Sequence, residues 1–143
     1  MIYLDSNALV KLVREEAGSE SLFQWLDERS DEPLVTSALA RTEVVRAVRR
    51  GNHSERGVLV DPTAMAEELD AAVEVLDAVA MVSLDSALLD RAGELEQPML
   101  RSLDAIHIVS ALWLDVVGLA FVTYDRRLGA VAGELGLDVV APA

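Results

Sequence analysis

The sequence predicts an α/β fold in which a parallel sheet is covered by helices on both faces. Short apolar segments alternate along the chain with longer segments that have the length and pattern of helices. The short segments are continuously apolar, which is typical of strands buried on both sides. No linker, internal repeat or low-complexity tract interrupts this order. We therefore expect a single domain over residues 1–143.

The predicted elements follow one another in the order of the chain. Five short apolar runs are predicted as strands: residues 2–4, 34–36, 80–84, 119–123 and 139–140. Seven longer segments are predicted as helices: residues 8–14, 20–28, 38–50, 62 or 63 to 77, 86–95, 100–114, and 125 to about 133 or 136.

Residues that favour helix ends support several of these boundaries. Ser19, Ser37 and Ser102 are predicted N-caps, because a serine hydroxyl accepts a hydrogen bond from the first free backbone N–H groups of a helix. Gly51 follows the third helix, at a position where glycine commonly ends helices. Residues 51–61 carry no periodic pattern and are predicted as a surface loop.

The composition limits the class of protein. The chain is 52% apolar with a mean hydropathy of +0.28, which suits one substantial core. It has no cysteine, no basic leader and no apolar run near the ~20 residues that cross a bilayer, so we expect a cytoplasmic protein. A net charge of −13 disfavours a protein that coats nucleic acid, but not a nuclease that contacts phosphate through a divalent cation.

The segment at residues 100–114 is apolar almost all round, as a buried helix is. After its first residues, the polar positions are Asp104, His107 and Ser110, which lie on one stripe. A carboxylate in such surroundings is costly unless a cation meets it. Asp104 is therefore either a residue that completes the helix start or part of a charged site.

Three further acids occupy comparable positions. Asp5 follows the first strand and Asp125 follows the fourth, and ligands in parallel α/β sheets bind at the carboxyl ends of the strands. Glu43 lies on the helix after the second strand. Together with Asp104, these side chains are predicted to converge at one rim of the sheet.

Four neighbouring carboxylates repel one another, and a hard divalent cation relieves that repulsion. Oxygen ligands without cysteine or a histidine cluster favour Mg²⁺ or Mn²⁺, which activate water and neutralise phosphoryl charge. The pattern therefore indicates metal-assisted hydrolysis of phosphodiesters. Asn7, Ser102 and Thr123 are candidates to orient the carboxylates or their waters.

Each of these residues also has a purely structural interpretation. Asp5 and Asp125 suit helix caps, and Glu43 suits a solvated helix surface. His107 is interpreted as a buried core residue rather than a ligand. Asp85 is interpreted as a helix cap, because no second feature near it supports more.

Several basic residues offer a possible phosphate-facing rim. Arg46, Arg49 and Arg50 share one helix face, and Arg126 and Arg127 follow Asp125. Lys11 and Arg14 complete this hypothesis. A solvated basic face is the ordinary alternative.

Four segments of the chain resemble a known family. These are IYLDSNALVKL, SALARTEVVRAVRR, LRSLDAIHIVSAL and FVTYDRRL, and each carries one of the acids Asp5, Glu43, Asp104 and Asp125. In this order and spacing they resemble PIN-domain ribonucleases of the VapC toxin type. Asn7 stands where many relatives carry Ser or Thr.

The resemblance implies a three-layer α/β/α sandwich with a parallel sheet of about five strands. It implies an Mg²⁺- or Mn²⁺-dependent endoribonuclease in which the four acids surround the metal, with Asp5 and Asp104 as direct ligands. It also implies a small antitoxin that inserts a basic segment into the site, and a homodimer.

Other functions keep part of this pattern. A non-catalytic module could use the acids to hold a partner's basic tail, and a PIN nuclease could act in RNA processing outside any toxin pair. A phosphoacceptor receiver domain would need an acidic pair after the first strand and a late lysine, but the sole lysine is Lys11. An Asp-x-Asp phosphatase is disfavoured because Asn7 stands at the second position.

Overall fold

The computed structural model describes all residues, Met1–Ala143, and has a five-stranded sheet in which every neighbouring pair is parallel. The strands are β1 (Ile2–Leu4), β2 (Leu34–Ser37), β3 (Ala80–Val82), β4 (Ala120–Val122) and β5 (Asp138–Val140). Their order in the sheet is β3-β2-β1-β4-β5. The prediction of a parallel α/β fold with about five strands is confirmed.

Seven helices connect the strands, as the sequence predicts. They are α1 (Ser6–Val13), α2 (Ser19–Asp27), α3 (Ala40–Gly51), α4 (Pro62–Ala78), α5 (Ser86–Gly93), α6 (Ser102–Trp113) and α7 (Arg126–Glu134). None of them is both long and apolar enough to cross a membrane.

The helices form two layers because successive strand residues point to opposite faces of the sheet. On one face, Ile2 and Leu4 pack with buried residues of α1 to α4, such as Val44. On the other face, Tyr3 and Phe121 pack with buried residues of α6 and α7, such as Ile108. Helix α5 packs on α6 through a separate small apolar cluster. The result is the α/β/α sandwich.

Three predicted helix caps are wrong. Ser19 is the first residue of α2, after Gly18 in a left-handed conformation, and its hydroxyl donates to the Arg14 carbonyl. Ser37 stays in β2, because it pairs with Val82 of β3, and α3 begins only at Ala40. Ser102 is the first residue of α6, with Arg101 at the cap position.

The end of α3 also differs from the prediction. Gly51 is the last residue of the helix, and Asn52 ends it by donating its side-chain amide to the Val48 carbonyl. The segment that follows is irregular, as predicted, and is held by a bridge between His53 and Leu59.

Candidate active site

Asp5 lies at the centre of the carboxyl edge of the sheet. Its backbone N–H donates to the carbonyl of Val122 at 3.1 Å, which holds it beside the end of β4. Its Oδ1 accepts from the Ala8 N–H at 2.7 Å and caps α1, and its Oδ2 accepts from the Thr123 hydroxyl at 2.6 Å. The residue is 1% exposed. The cap interpretation of Asp5 is therefore true, and it leaves room for a second role.

Burial raises the pKa of Asp5, although hydrogen bonds from Thr123 and Ala8 partly oppose this. No lysine or arginine forms an ion pair with it. A desolvated carboxylate without a basic partner is costly in its charged form. A cation bound next to it would remove that cost.

Glu43 is held by a short chain of buried polar groups. The Nε2 of His107 lies 2.7 Å from its Oε2, and the Ser6 hydroxyl donates to the same oxygen. Because a carboxylate only accepts, Nε2 carries the proton. The Tyr3 hydroxyl lies 2.9 Å from Nδ1 and ends this chain of polar groups.

This arrangement sets the charge of Glu43. Its partial burial raises the pKa, but the hydrogen bonds from His107 and Ser6 outweigh that effect, and the net pKa is lowered. Tyr3 stays protonated, since burial raises its pKa strongly. Glu43 is thus a fixed anion rather than a solvated surface residue.

Asp104 and Asp125 share one arginine. The Nε of Arg101 lies 2.8 Å from Asp104 Oδ2, and its Nη2 lies 3.3 Å from Asp125 Oδ2. Asp125 also caps α7, through N–H groups of Arg127 and Leu128. The arginine side chain is 74% exposed, whereas the two carboxylates are 20% and 24% exposed. An exposed guanidinium therefore neutralises two largely covered acids.

Thr123 joins the buried and exposed acids. Its hydroxyl donates to Asp5 and accepts from the Asp125 N–H at 3.1 Å. Through Ser6, which follows Asp5 in the chain, the connection continues to Glu43. The four predicted acids thus belong to one network, but no three acidic or histidine side chains enclose a metal-sized space as they stand.

Of the three residues predicted to orient these acids, only one does so. Thr123 orients two of them, as expected. Asn7 and Ser102 are exposed, and their side chains contact none of the four acids through hydrogen bonds. The structure gives the orienting role to Ser6 and His107 instead.

Sequence reasoning missed the roles of Ser6, His107 and Arg101. His107 is buried, as predicted, but it also binds Glu43. Its spacing of i+3 from Asp104 was the available signal. Arg101 stands at i−3 from Asp104, so both neighbours of that acid on the helix face belong to the network.

The predicted basic rim divides into separate parts. Lys11 pairs with Glu16, and Arg14 pairs with Glu68. They are therefore not free to face a phosphate. Arg46, Arg49 and Arg50 of α3, by contrast, form no ion pair.

The donor set fits a hard cation. All four acids offer oxygen atoms, which Mg²⁺ and Mn²⁺ prefer. The Arg101 guanidinium occupies the position between Asp104 and Asp125 where positive charge is favoured, and Asp5 lacks any basic partner. Because the Arg101 side chain is exposed, no packing holds it between the two acids when another cation binds there.

Several known proteins are similar to this chain over nearly its whole length. The PIN domain family matches residues 2–134. Ribonuclease VapC35 of Mycobacterium tuberculosis (strain ATCC 25618 / H37Rv) is 41% identical over 144 residues, which cover 99% of this chain and 97% of that protein. Ribonuclease VapC46 of the same organism is 39% identical over 142 residues, with 99% and 98% covered.

A solved structure shares the fold. It is the crystal structure of VapBC2 from Rickettsia felis bound to a DNA fragment from their promoter. One of its chains superposes with a TM-score of 0.70 over 100% of both chains, at 13% sequence identity.

Proposed function

This chain belongs to the PIN domain family, and on that premise we propose that it is a metal-dependent endoribonuclease, the toxin of a type II toxin–antitoxin pair. The observation that carries the proposal is the connected set of four acids at the carboxyl edge of the sheet, of which two are bridged by one exposed arginine. Helix capping accounts for Asp5 and Asp125 but not for Glu43 and Asp104, whereas the set of four suits a cation and a phosphodiester.

In this proposal, Asp5 and Asp104 hold Mg²⁺ or Mn²⁺, while Glu43 and Asp125 complete the site through water. When bound, the metal supplies a water of lowered pKa and neutralises charge on the phosphoryl group. His107 and Ser6 keep Glu43 ionised and fixed, so that it can orient a water molecule. Thr123 keeps Asp5 in register with Asp125.

Arg101 has a place in the same proposal. In the present arrangement its guanidinium neutralises Asp104 and Asp125. When a metal takes over that charge, the exposed side chain is free to contact a phosphate oxygen, which a planar guanidinium binds with two donors.

The proposed partners are an RNA substrate and a small antitoxin with a basic segment, in the cytoplasm. The net charge of −13 favours a basic partner segment. The position of Arg101 supports the same idea, because a guanidinium fits between Asp104 and Asp125. Exposed apolar side chains around the end of α6, including Trp113 and Val117, support a homodimer.

Cleavage of total cellular RNA by the purified chain tests the proposal. We expect cleavage with Mg²⁺ or Mn²⁺, none with EDTA, and a loss on the order of 10³-fold in Asp104→Asn. Asp90→Asn, an exposed aspartate on α5, is the matched control and should cleave normally. Equal cleavage by Asp104→Asn and wild type would refute the assignment.

The non-catalytic alternative gives a different result in the same samples. A module that only holds a basic tail would bind a co-purifying partner through the four acids, yet cleave no RNA with either metal. Co-expression with the neighbouring coding sequence, followed by purification, identifies such a partner in either case.

A further inference from the structure

A basic cleft lies at the carboxyl end of α3, beyond Glu43 on the same helix. Arg46, Arg49, Arg50 and His53 line a cavity of about 460 Å³ together with Glu55 and small polar residues of the following loop. No apolar side chain lines it. All three arginines are exposed. The cleft is thus built from positive charge on a chain whose net charge is −13.

These arginines belong to the half of the basic residues that forms no ion pair, which also includes Arg56, Arg126 and Arg127. Lys11 and the arginines at 14, 29, 41, 91 and 101 each form an ion pair with a nearby acid. Arg46, Arg49 and Arg50 form none, and their side chains make no hydrogen bond within the chain. On an acidic surface, three arginines without acidic partners keep their charge available for an external anion.

Stabilisation of the helix does not account for the cluster. Cations in the last turn of a helix interact well with its dipole, and Arg49 and Arg50 are placed to do so. Arg46 lies in the middle of α3, beyond the reach of that effect, and yet lines the same cleft. The helix dipole therefore does not account for Arg46.

The cleft is aligned with the candidate active site. Glu43, Arg46 and Arg50 are at i, i+3 and i+7, so they follow one stripe of α3. At 1.5 Å per residue, Arg50 lies about 10 Å along the helix axis from Glu43. A strand whose scissile phosphate is held at the acids reaches the arginines within the next few nucleotides.

We propose that this cleft binds the phosphate backbone of single-stranded RNA on one side of the scissile bond. The inference rests on the proposed ribonuclease function and adds to it a second, separate contact surface. Arginine is suited to this role because its guanidinium donates two hydrogen bonds to one phosphate. The contact carries no sequence information, so it sets affinity and direction of the strand rather than the choice of site.

Binding of a uridine homopolymer to cleavage-deficient protein tests the inference. Fluorescence anisotropy compares an oligomer of roughly 16 nucleotides with a dinucleotide, in the Asp104→Asn background with Mg²⁺ present. The triple change of Arg46, Arg49 and Arg50 to Gln should weaken binding of the long oligomer about tenfold or more. Binding of the short one should change little, because it does not span both surfaces.

The salt dependence gives a second readout. Each neutralised phosphate of a single strand contributes about 0.7 to the slope of log K against log salt, so the triple variant should lose about two from that slope. Glutamine retains helix propensity, and the buried face of α3, with Val44 and Val48, is untouched. Circular dichroism should therefore be unchanged.

A charge-matched variant separates the cleft from general repulsion. Changing Arg29, Arg41 and Arg91 to Gln also removes three positive charges, but from positions outside the cleft. It should bind the long oligomer within about twofold of the parent, since mutating charges remote from the contact mainly alters long-range attraction.

The possible failures are distinguishable. If the parent binds the long oligomer but the cleft variant binds it equally, with the same salt slope, the cleft inference is wrong and the ribonuclease proposal stands. If the parent binds neither oligomer, the cleft inference and the ribonuclease proposal are both wrong. If the cleft variant keeps its RNA affinity but loses a co-purifying protein, the cleft is a protein-binding surface and the inference is wrong.

Discussion

The acidic site has two halves, Asp5 with Glu43 and Asp104 with Asp125, and their carboxylates are stabilised in different ways. Asp5 and Glu43 are surrounded by hydroxyl groups, an imidazole and backbone N–H groups of the fold itself. Asp104 and Asp125 are neutralised by an exposed arginine side chain. The first half is therefore fixed before any ligand arrives, whereas the second can exchange its cation without disturbing the core. The site therefore combines two carboxylates held rigidly by the fold with two carboxylates whose positive partner can be replaced.

The largest effect is expected from removing the buried charge. Asp5→Asn should reduce metal-dependent RNA cleavage on the order of 10³-fold, because the variant loses an anionic ligand. At neutral pH it should raise the metal-free Tm by about 2–4 °C, the equivalent of about 1 kcal/mol, because the charged form no longer has to be buried. Calorimetry with and without Mg²⁺ measures both.

The pH dependence of that gain follows from the raised pKa of Asp5. The charged carboxylate costs stability at pH values above its folded pKa, and wild type is relieved of that cost as the pH falls through it. The Tm difference between Asp5→Asn and wild type should therefore shrink on acidification. Asp85→Asn, which changes the more exposed cap of α5, is the control and should show no such trend. A lower Tm of Asp5→Asn than of wild type at neutral pH would contradict the inference that the buried charge of Asp5 costs stability.

The next effect concerns the support of Glu43. His107→Ala should lower cleavage about 10- to 100-fold, because it leaves the carboxylate unoriented. His107→Gln keeps an N–H donor near the same position and should recover part of the loss. Equal loss in the Ala and Gln variants would mean that packing, not the hydrogen bond, is what matters.

A smaller loss is expected where the two halves meet. Thr123→Val removes one donor to Asp5 and one acceptor for the Asp125 N–H, and should lower the free energy of unfolding by about 1.5–3 kcal/mol. Cleavage should fall about tenfold. Thr123→Ser retains the hydroxyl and should restore most of both quantities, measured by urea unfolding and initial rates. If Thr123→Val changed neither the stability nor the cleavage rate, the two halves of the site would act independently.

The smallest effect, and the most direct test of replaceable charge, concerns Arg101. Arg101→Gln should tighten Mn²⁺ binding a few-fold in titration calorimetry, since the metal no longer competes with an exposed guanidinium. Arg91→Gln removes a comparable exposed arginine paired with Glu94 and should not alter the affinity. Weaker metal binding in Arg101→Gln would show that the arginine assists the metal rather than competing with it.

The sequence was sufficient to predict the rigid framework. Continuous apolar strands and capped helices gave the parallel sheet, and the rule for carboxyl ends of strands placed Asp5 and Asp125 at one edge. Helix starts were less predictable, because Ser37 is retained in the sheet by pairing with β3, an interaction between distant segments. Local capping preference does not contain that information.

The hydrogen bonds of the site were out of reach for a related reason. Tyr3 and His107 are separated by 104 positions, and Ser6 and Glu43 by 37. Which hydroxyl meets which carboxylate depends on the register of the sheet and the rotation of α3 and α6. Spacing within one helix predicts only that Arg101, Asp104 and His107 share a face.

The contact between Asp5 and Thr123 has a consequence for how the protein is made. These residues are 118 positions apart, at the ends of neighbouring strands. At about 5–20 residues per second, the ribosome needs on the order of ten seconds to pass from one to the other. Throughout that interval the nascent chain lacks the final strands that close the acidic edge. A nascent chain that ends before Thr123 therefore lacks both this contact and Asp125, and its acidic edge is incomplete.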